Sequence, residues 1–362
     1  MKPATIRDVA RHAQVSVASV SRALNGSDTV TEETRKRILE SAEALQYVPH
    51  SGARSLSTSK TNTLGIILPD LYGEFFSELI RGMDLAAREH GYHLIVSSSH
   101  DDADGAAAAI RSMRGRVDGL FVLSPQIDSA NLATAMAGRL PVVLMHGGAG
   151  ESTLPSIVVD NNGGAHAAVD HLLATGCRSI AHIAGPAGNL EAEARLAGYL
   201  EAMAEAGLEP HVVEGDFNQG SGHASARALM DAPRRFDGVF CGNDMMAIGA
   251  LLAFQEAGVR CPEDVAVVGF DDVPIAALVR PGLTTLRIRI AETGRRALQR
   301  LVGQIEAAQA GREATASSTA CEVVRPELVI RTSTRAPVST TRAADGRPSG
   351  VTASAQGENQ DG

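Results

Sequence analysis

Two different periodicities divide the chain. From Thr5 to Leu45 apolar residues recur at the three-to-four spacing of short amphipathic helices, with polar breaks between them. Thr5-Ile6-Arg7-Asp8 has the form of a capping box and starts a first helix whose apolar face is Ile6, Val9 and Ala10. Ala13-Gln14-Val15 forms a turn. Ser16 suits the N-cap of a second helix that runs to about Leu24 and stops at Asn25-Gly26. Thr31 caps a third helix, with Ile38, Ala42 and Leu45 on its buried side, and Pro49 closes the bundle. From His50 to Lys60 the chain is polar, with only Ala53 and Leu56 apolar.

From Thr63 onward short apolar strands alternate with helical segments. Strands are expected at 64–68, 93–97, 119–123, 142–144, 157–159, 179–183, 211–214, 238–240 and 265–270. Helical periodicity lies between most of them, as at 74–89, 165–174, 190–206 and 245–257. Several helices end on a glycine directly before a strand (Gly91, Gly176, Gly207, Gly258), the C-cap of an αβ unit. Repeated βα units predict parallel sheets covered by helices, and their number predicts two similar lobes. Ligands in such folds sit at the carboxyl ends of the strands. From Thr332 the chain turns rich in Ser, Thr, Ala, Gly and Pro without periodicity, and a disordered tail is expected over 335–362.

Composition adjusts this picture in three ways. The net charge of −9 argues against nucleic acid, but it is unevenly spread. Residues 1–60 carry nine Lys/Arg against six Asp/Glu, a surplus of +3 that leaves −12 on the remainder of the 362-residue chain. A basic head on an acidic body suits a molecule that docks one end onto phosphates. Aromatics are 3% and Trp is absent, which excludes a stacking platform for single strands. The four cysteines, Cys177, Cys241, Cys261 and Cys321, show no CxxC spacing and read as reduced thiols. The N-terminus has no signal-peptide pattern and no window is long and apolar enough for a membrane span, which places the chain in the cytoplasm. The Gly-rich pieces Gly147-Gly148-Ala149-Gly150 and Gly163-Gly164 form neither a dinucleotide fingerprint nor a phosphate loop, and GxSxG and HExxH are absent. The sequence therefore implies no enzyme, no metal and no cofactor.

The segment Ile6-Arg7-Asp8-Val9-Ala10, then Val15-Ser16, Val20-Ser21-Arg22-Ala23-Leu24-Asn25, Thr34-Arg35, Tyr47-Val48-Pro49 and Leu56 resembles the LacI/GalR family of bacterial regulators. The resemblance continues through Val169-Asp170-His171-Leu172, Arg195-Leu196-Ala197-Gly198-Tyr199, Cys241-Gly242-Asn243-Asp244, Val268-Gly269-Phe270-Asp271-Asp272, Pro281-Gly282-Leu283-Thr284-Thr285 and Arg325-Pro326-Glu327-Leu328-Val329, and covers about residues 4–334. Gln14 departs from it, standing where the family usually has Gly.

The resemblance implies a helix-turn-helix head at 1–48, a hinge helix and linker at 49–61, and a two-lobed α/β sensor like the periplasmic binding proteins at 62–334. Lobe one would take about 62–159 and 287–322, and lobe two 160–286 and 323–334, with crossings near Asp160, Leu286 and Val323. It implies a DNA-binding regulator, a dimer on a near-palindromic double-stranded operator, with affinity set by a sugar-like effector. Repression is expected because the tail shows no polymerase-contact surface, and a dimer because it lacks the Leu heptads of a four-chain bundle.

Val17, Ala18 and Arg22 are the implied base-reading positions; an Arg there can grip a guanine edge, and the apolar pair suits a thymine methyl. Otherwise Arg22 is a solvated charge. Thr5, Ser16, Ser21, Asn25 and Tyr47 suit phosphate contacts, with Ser16 also a cap. Leu56 is the implied wedge into a central minor-groove step. Effector contacts are implied at Phe75 or Phe76, His146, Arg195, Phe217, Asn243 and Asp271. His146 stands where the family often has Asp. Three alternatives stay open: Asn243 with Asp244 capping the following helix, Phe217 packing within its lobe, and Arg195 pairing with Glu191 or Glu193.

Overall fold

The computed structural model describes residues 4–24, 29–48, 60–100, 102–123, 140–145, 154–311 and 321–336. Asn25, Leu56 and His146 lie outside these residues, as do residues 49–59 of the hinge expected at 49–61 and residues 337–362 of the tail expected at 335–362.

The head is three helices, α1 (Ile6–His12), α2 (Val17–Leu24) and α3 (Glu32–Ala44). The capping box forms at α1, where the Asp8 carboxylate accepts from both Thr5 N–H and Thr5 Oγ1 at 3.0 and 2.7 Å. Thr31 Oγ1 accepts from Thr34 N–H to open α3. Val9, Ala10, Ala13, Val20, Ala23, Ile38 and Ala42 make a core small enough to need every one of them. His12 Nδ1 meets Ser41 Oγ at 3.0 Å and ties α1 to α3.

The body holds two six-stranded sheets. The first contains β1 (Thr63–Leu68), β2 (His93–Ser98), β3 (Gly119–Leu123), β4 (Val142–Met145), β5 (Ser156–Val159) and β11 (Cys321–Val324), in the order β11-β5-β4-β3-β1-β2. The second contains β6 (Ile180–Ile183), β7 (His211–Val213), β8 (Gly238–Cys241), β9 (Ala266–Asp271), β10 (Thr284–Arg287) and β12 (Glu327–Val329), in the order β12-β10-β9-β8-β6-β7. Every pairing is parallel except β10 with β12. Parallel strands covered on both faces must be apolar throughout, and β3, β4, β8 and β9 are buried at every position.

The covering helices are α4 (Glu74–Glu89), α5 (Ala103–Met113), α6 (Asn161–Ala174), α7 (Leu190–Glu205), α8 (Gln219–Asp231), α9 (Asp244–Glu256) and α10 (Ile290–Gln309). The predicted C-cap glycines 91, 176, 207 and 258 all take positive φ. Close helix pairs rest on glycine of another kind. A Cβ on Gly82 of α4 would overlap the Ala291 carbonyl of α10, and one on Gly222 of α8 the Met246 carbonyl of α9.

The chain crosses between sheets three times: after Val159, after Arg287 and after Val324. The last two crossings each fall one residue beyond the expected Leu286 and Val323, because ladder pairing carries Arg287 to the end of β10 and Val324 to the end of β11. The strands β10, β11 and β12 go beyond those that periodicity predicts, each being only three or four residues long. The stretch from Thr332 is also firmer at its start than its composition suggested. Ser333 is fully buried: its N–H donates to Gly282 O, its carbonyl accepts from Val267 N–H, and its hydroxyl accepts from Thr284 N–H.

Gln14 adopts φ +52°, the left-handed conformation that an L side chain strains to hold. This accounts for the Gly usually found in that turn. Gln14→Gly is expected to stabilise the head by about 0.5–1 kcal/mol, the relief of strain minus the added backbone entropy. Hydrogen exchange at the Val9 and Val20 amides would show it as slower opening.

Candidate functional site

Two surfaces carry the chemistry. On α2, Val20 and Ala23 face the core, which leaves Ser16, Val17, Ala18 and Arg22 exposed together on the opposite side. Ser16 does act as a cap, its Oγ accepting from Ser19 N–H at 3.0 Å. No ion pair engages Arg22 among the described residues, so its five donors face solvent. Thr5 is exposed at the start of α1; Ser21 and Tyr47 are half-buried. Arg35 Nη1 donates to Ala23 O at 2.8 Å, fixing the end of α2 against α3. The result is a short helix, rigidly backed, presenting two small apolar side chains and one guanidinium.

The second surface is a cleft of about 160 Å³ between the two sheets. It opens at the carboxyl ends of the neighbouring pairs β1 with β3 and β6 with β8, where strand order reverses, and segments after β1, β6, β7, β8 and β9 line it. Of the expected contacts, Phe75, Phe76, Arg195, Phe217, Asn243 and Asp271 all border it. Phe75 and Phe76 meet edge-to-face with centroids 5.3 Å apart, and both reach the cleft rather than one of them.

Arg195, on α7, is 4% exposed. Its Nε donates to Asn161 Oδ1 at 2.8 Å, Nη1 donates to Gly242 O, and Nη2 lies 3.4 Å from Asp271 Oδ1. The guanidinium lies 3.9 Å from the Phe270 ring centroid and 5.7 Å from that of Phe217. The pairing with Glu191 or Glu193 left open above does not form; Glu193 instead accepts from Gly188 N–H.

Asp271 ends β9 with φ +108° and is 4% exposed. Burial pushes its carboxyl up to about 7, Arg195 works against that, and Glu191 adds to it. Asn243 serves two tasks: its Oδ1 caps α9 by accepting from Met246 N–H, and its Nδ2 donates to Phe217 O at 2.9 Å. Phe217 (φ +68°) packs its ring on Gly185, where a Cβ would overlap it.

Several cleft residues escaped the sequence reading. Asp70, Glu74, Glu191 and Asp216 line it beside Asp271, so five carboxylates face one arginine. Their one signal in the sequence was position, since each follows a strand by a few residues. Glu74 Oε2 accepts from Ile275 N–H at 3.0 Å and joins α4 of the first lobe to the 3-10 turn Pro274–Ala277 of the second.

Comparison with known proteins now decides the family. Residues 5–50 match the model of bacterial regulatory proteins, lacI family, and residues 169–334 that of the periplasmic binding protein-like domain. The catabolite control protein A of Priestia megaterium is 34% identical over 78% of this chain and 86% of its own. The chain belongs to the lacI family of bacterial regulatory proteins. The HTH-type transcriptional repressor CytR of Escherichia coli is 32% identical over 92% of this chain and 97% of its own. A lac repressor dimer bound to operator and an anti-inducer superposes with TM-score 0.82 at 26% identity, covering 92% of this chain and all of the other. A transcriptional regulator CelR–cellobiose complex gives 0.66 at 31% identity over 91% of this chain and 99% of the other. This member of the lacI family is a DNA-binding transcription regulator with a sensor body, and among its described residues no helix is long and apolar enough to cross a membrane.

A carboxyl whose folded value lies near 7 and whose unfolded value lies near 4 favours the folded state fully below about 4, and that contribution is lost as pH rises toward 7. Asp271→Asn removes this loss. Urea midpoints measured from pH 4 to 8 should therefore move in favour of the variant, relative to the parent, as pH rises through that window.

Proposed function

We propose that this lacI-family chain is a repressor of carbohydrate uptake or catabolism genes, working in the cytoplasm as a homodimer on a near-palindromic operator. Arg22 reads a guanine edge, and Val17 and Ala18 sit against neighbouring bases. Thr5, Ser16, Ser21, Asn25 and Tyr47 hold phosphates and set register. Leu56 of the two hinges wedges the central minor-groove step. A polyhydroxylated effector binds the interlobe cleft against Arg195, Asp271, Asn243, Phe217, one or both of Phe75 and Phe76, and His146. The chain performs no catalysis in this reading.

The observation that carries the proposal is the union of an exposed Val17-Ala18-Arg22 face with a cleft whose buried arginine is already oriented by its neighbours. Relatives support it by their names: a ribose operon repressor of Halalkalibacterium halodurans is 34% identical over 83% of this chain. The effector changes operator affinity by favouring one relation of the two lobes, and so of the two hinges, over another.

Gel-shift titration at fixed salt, on duplexes from the promoters flanking the gene, tests the reading. Parent protein should bind one of them with a steep salt dependence. Arg22→Ala should lose about 1–3 kcal/mol on that duplex and little on random DNA. Equal loss on both would remove Arg22 from base reading. Arg195→Ala should melt lower than the parent without ligand, because Asn161, Gly242 and Asp271 lose their donor, and should show no thermal shift with any sugar that shifts the parent.

A further inference from the structure

Among the five carboxylates that line the cleft, four have protein donors. Asp70 Oδ1 accepts from Leu71 and Tyr72 N–H, Glu74 from Ile275 N–H, Asp216 from Asn218 N–H, and Asp271 faces Arg195. Glu191 is the exception. It stands in the first turn of α7, its backbone N–H held by Asn189 Oδ1 at 3.0 Å, and its carboxylate takes no hydrogen bond or ion pair among the described residues. The one cation in the lining, Arg195, lies a turn further along the same helix and is committed to Asn161, Gly242 and Asp271. Glu191 is half-buried at the cleft wall, and its carboxylate has no protein donor among the described residues; burial pushes its carboxyl up, and Arg195 works against that.

We infer that Glu191 is the specificity residue for effector charge: the cleft takes an uncharged or cationic ligand that presents an O–H or N–H donor to this carboxylate, and it turns away phosphorylated and carboxylated forms of the same compound. The inference rests on the polyol reading above and narrows it. An added phosphate would meet up to five acidic side chains, with a guanidinium that has few donors left to offer. A hydroxyl or an amine supplies the donor that the folded protein leaves out. The neutral variant Glu191→Gln removes one like charge from the path of an anion without touching the Asn189 cap, which uses the backbone alone.

The test uses the full chain at neutral pH and calorimetric titration with matched sets: glucose, glucosamine and glucose 6-phosphate; ribose and ribose 5-phosphate; adenosine and adenosine monophosphate. At least one neutral or amino member should bind the parent protein. Its phosphorylated counterpart should bind at least about tenfold more weakly, the order expected for one unit charge at close range. In Glu191→Gln that gap should narrow by about fivefold or more, with the ligand-free melting temperature no lower than the parent's. A phosphorylated member that binds the parent as tightly as its neutral form, or a gap that Glu191→Gln leaves as it was, overturns the inference while the polyol reading stands. If no member of any set binds the parent, the polyol reading fails and this inference fails with it.

Discussion

A guanidinium withdrawn from water needs an acceptor for its donors and a place for its flat faces, and the cleft is built around supplying both to Arg195. Its acceptors come from widely separated parts of the chain. Asn161 follows the first crossing between sheets, Gly242 follows β8, and Asp271 ends β9. The Phe270 ring takes one face at 3.9 Å. Loss of this cation would leave a carboxylate, a carbonyl and an amide oxygen unsatisfied at once, which is a far larger disturbance than losing one surface pair.

The residue after Asp271 extends the same arrangement to the crossings. Asp272 accepts from Arg287 at the end of β10 and from Arg331 beyond β12, so two of the segments near the lobe boundary converge on one carboxylate. Asp244, fully buried beneath, accepts from Val273 N–H and from Thr285 Oγ1, and burial and its acidic neighbours raise its carboxyl well above the ordinary range. Both Asp271 and Asp272 hold positive φ, a conformation that side chains other than glycine adopt only when surrounding bonds impose it. Cleft, strand end and lobe boundary are therefore one bonded unit, and anything that moves Arg195 pulls on the segments that join the lobes.

How far the sequence led depended on the range of the interaction involved. Capping boxes, helix-ending glycines and apolar strands are local, and Thr5-Asp8, Gly91 and β1 were readable for that reason. Strands β10 to β12 were not, since runs such as Thr284-Thr285-Leu286-Arg287 become strands only through partners far along the chain. Arg195 and Asp271 were readable through their motifs, but their mutual contact was not. Glu191 was misleading: four residues before an arginine on a helix, it has the spacing of a surface ion pair. The three acceptors that draw Arg195 inward all lie outside that helix, so the helix pattern alone could not reveal that the pair stays apart.

The edge strands carry a last implication, for the order in which the protein can be made. β11 closes one edge of the first sheet and β12, beginning three residues later, closes the matching edge of the second. Both sheets thus wait for the same few residues near the end of the described chain. The head has all its core residues once Tyr47 has been synthesised. A nascent chain on the ribosome therefore holds the whole core of its three-helix head for most of its synthesis, before either half of its sensor can be closed, and a chain broken off ahead of Cys321 would carry the first without the second.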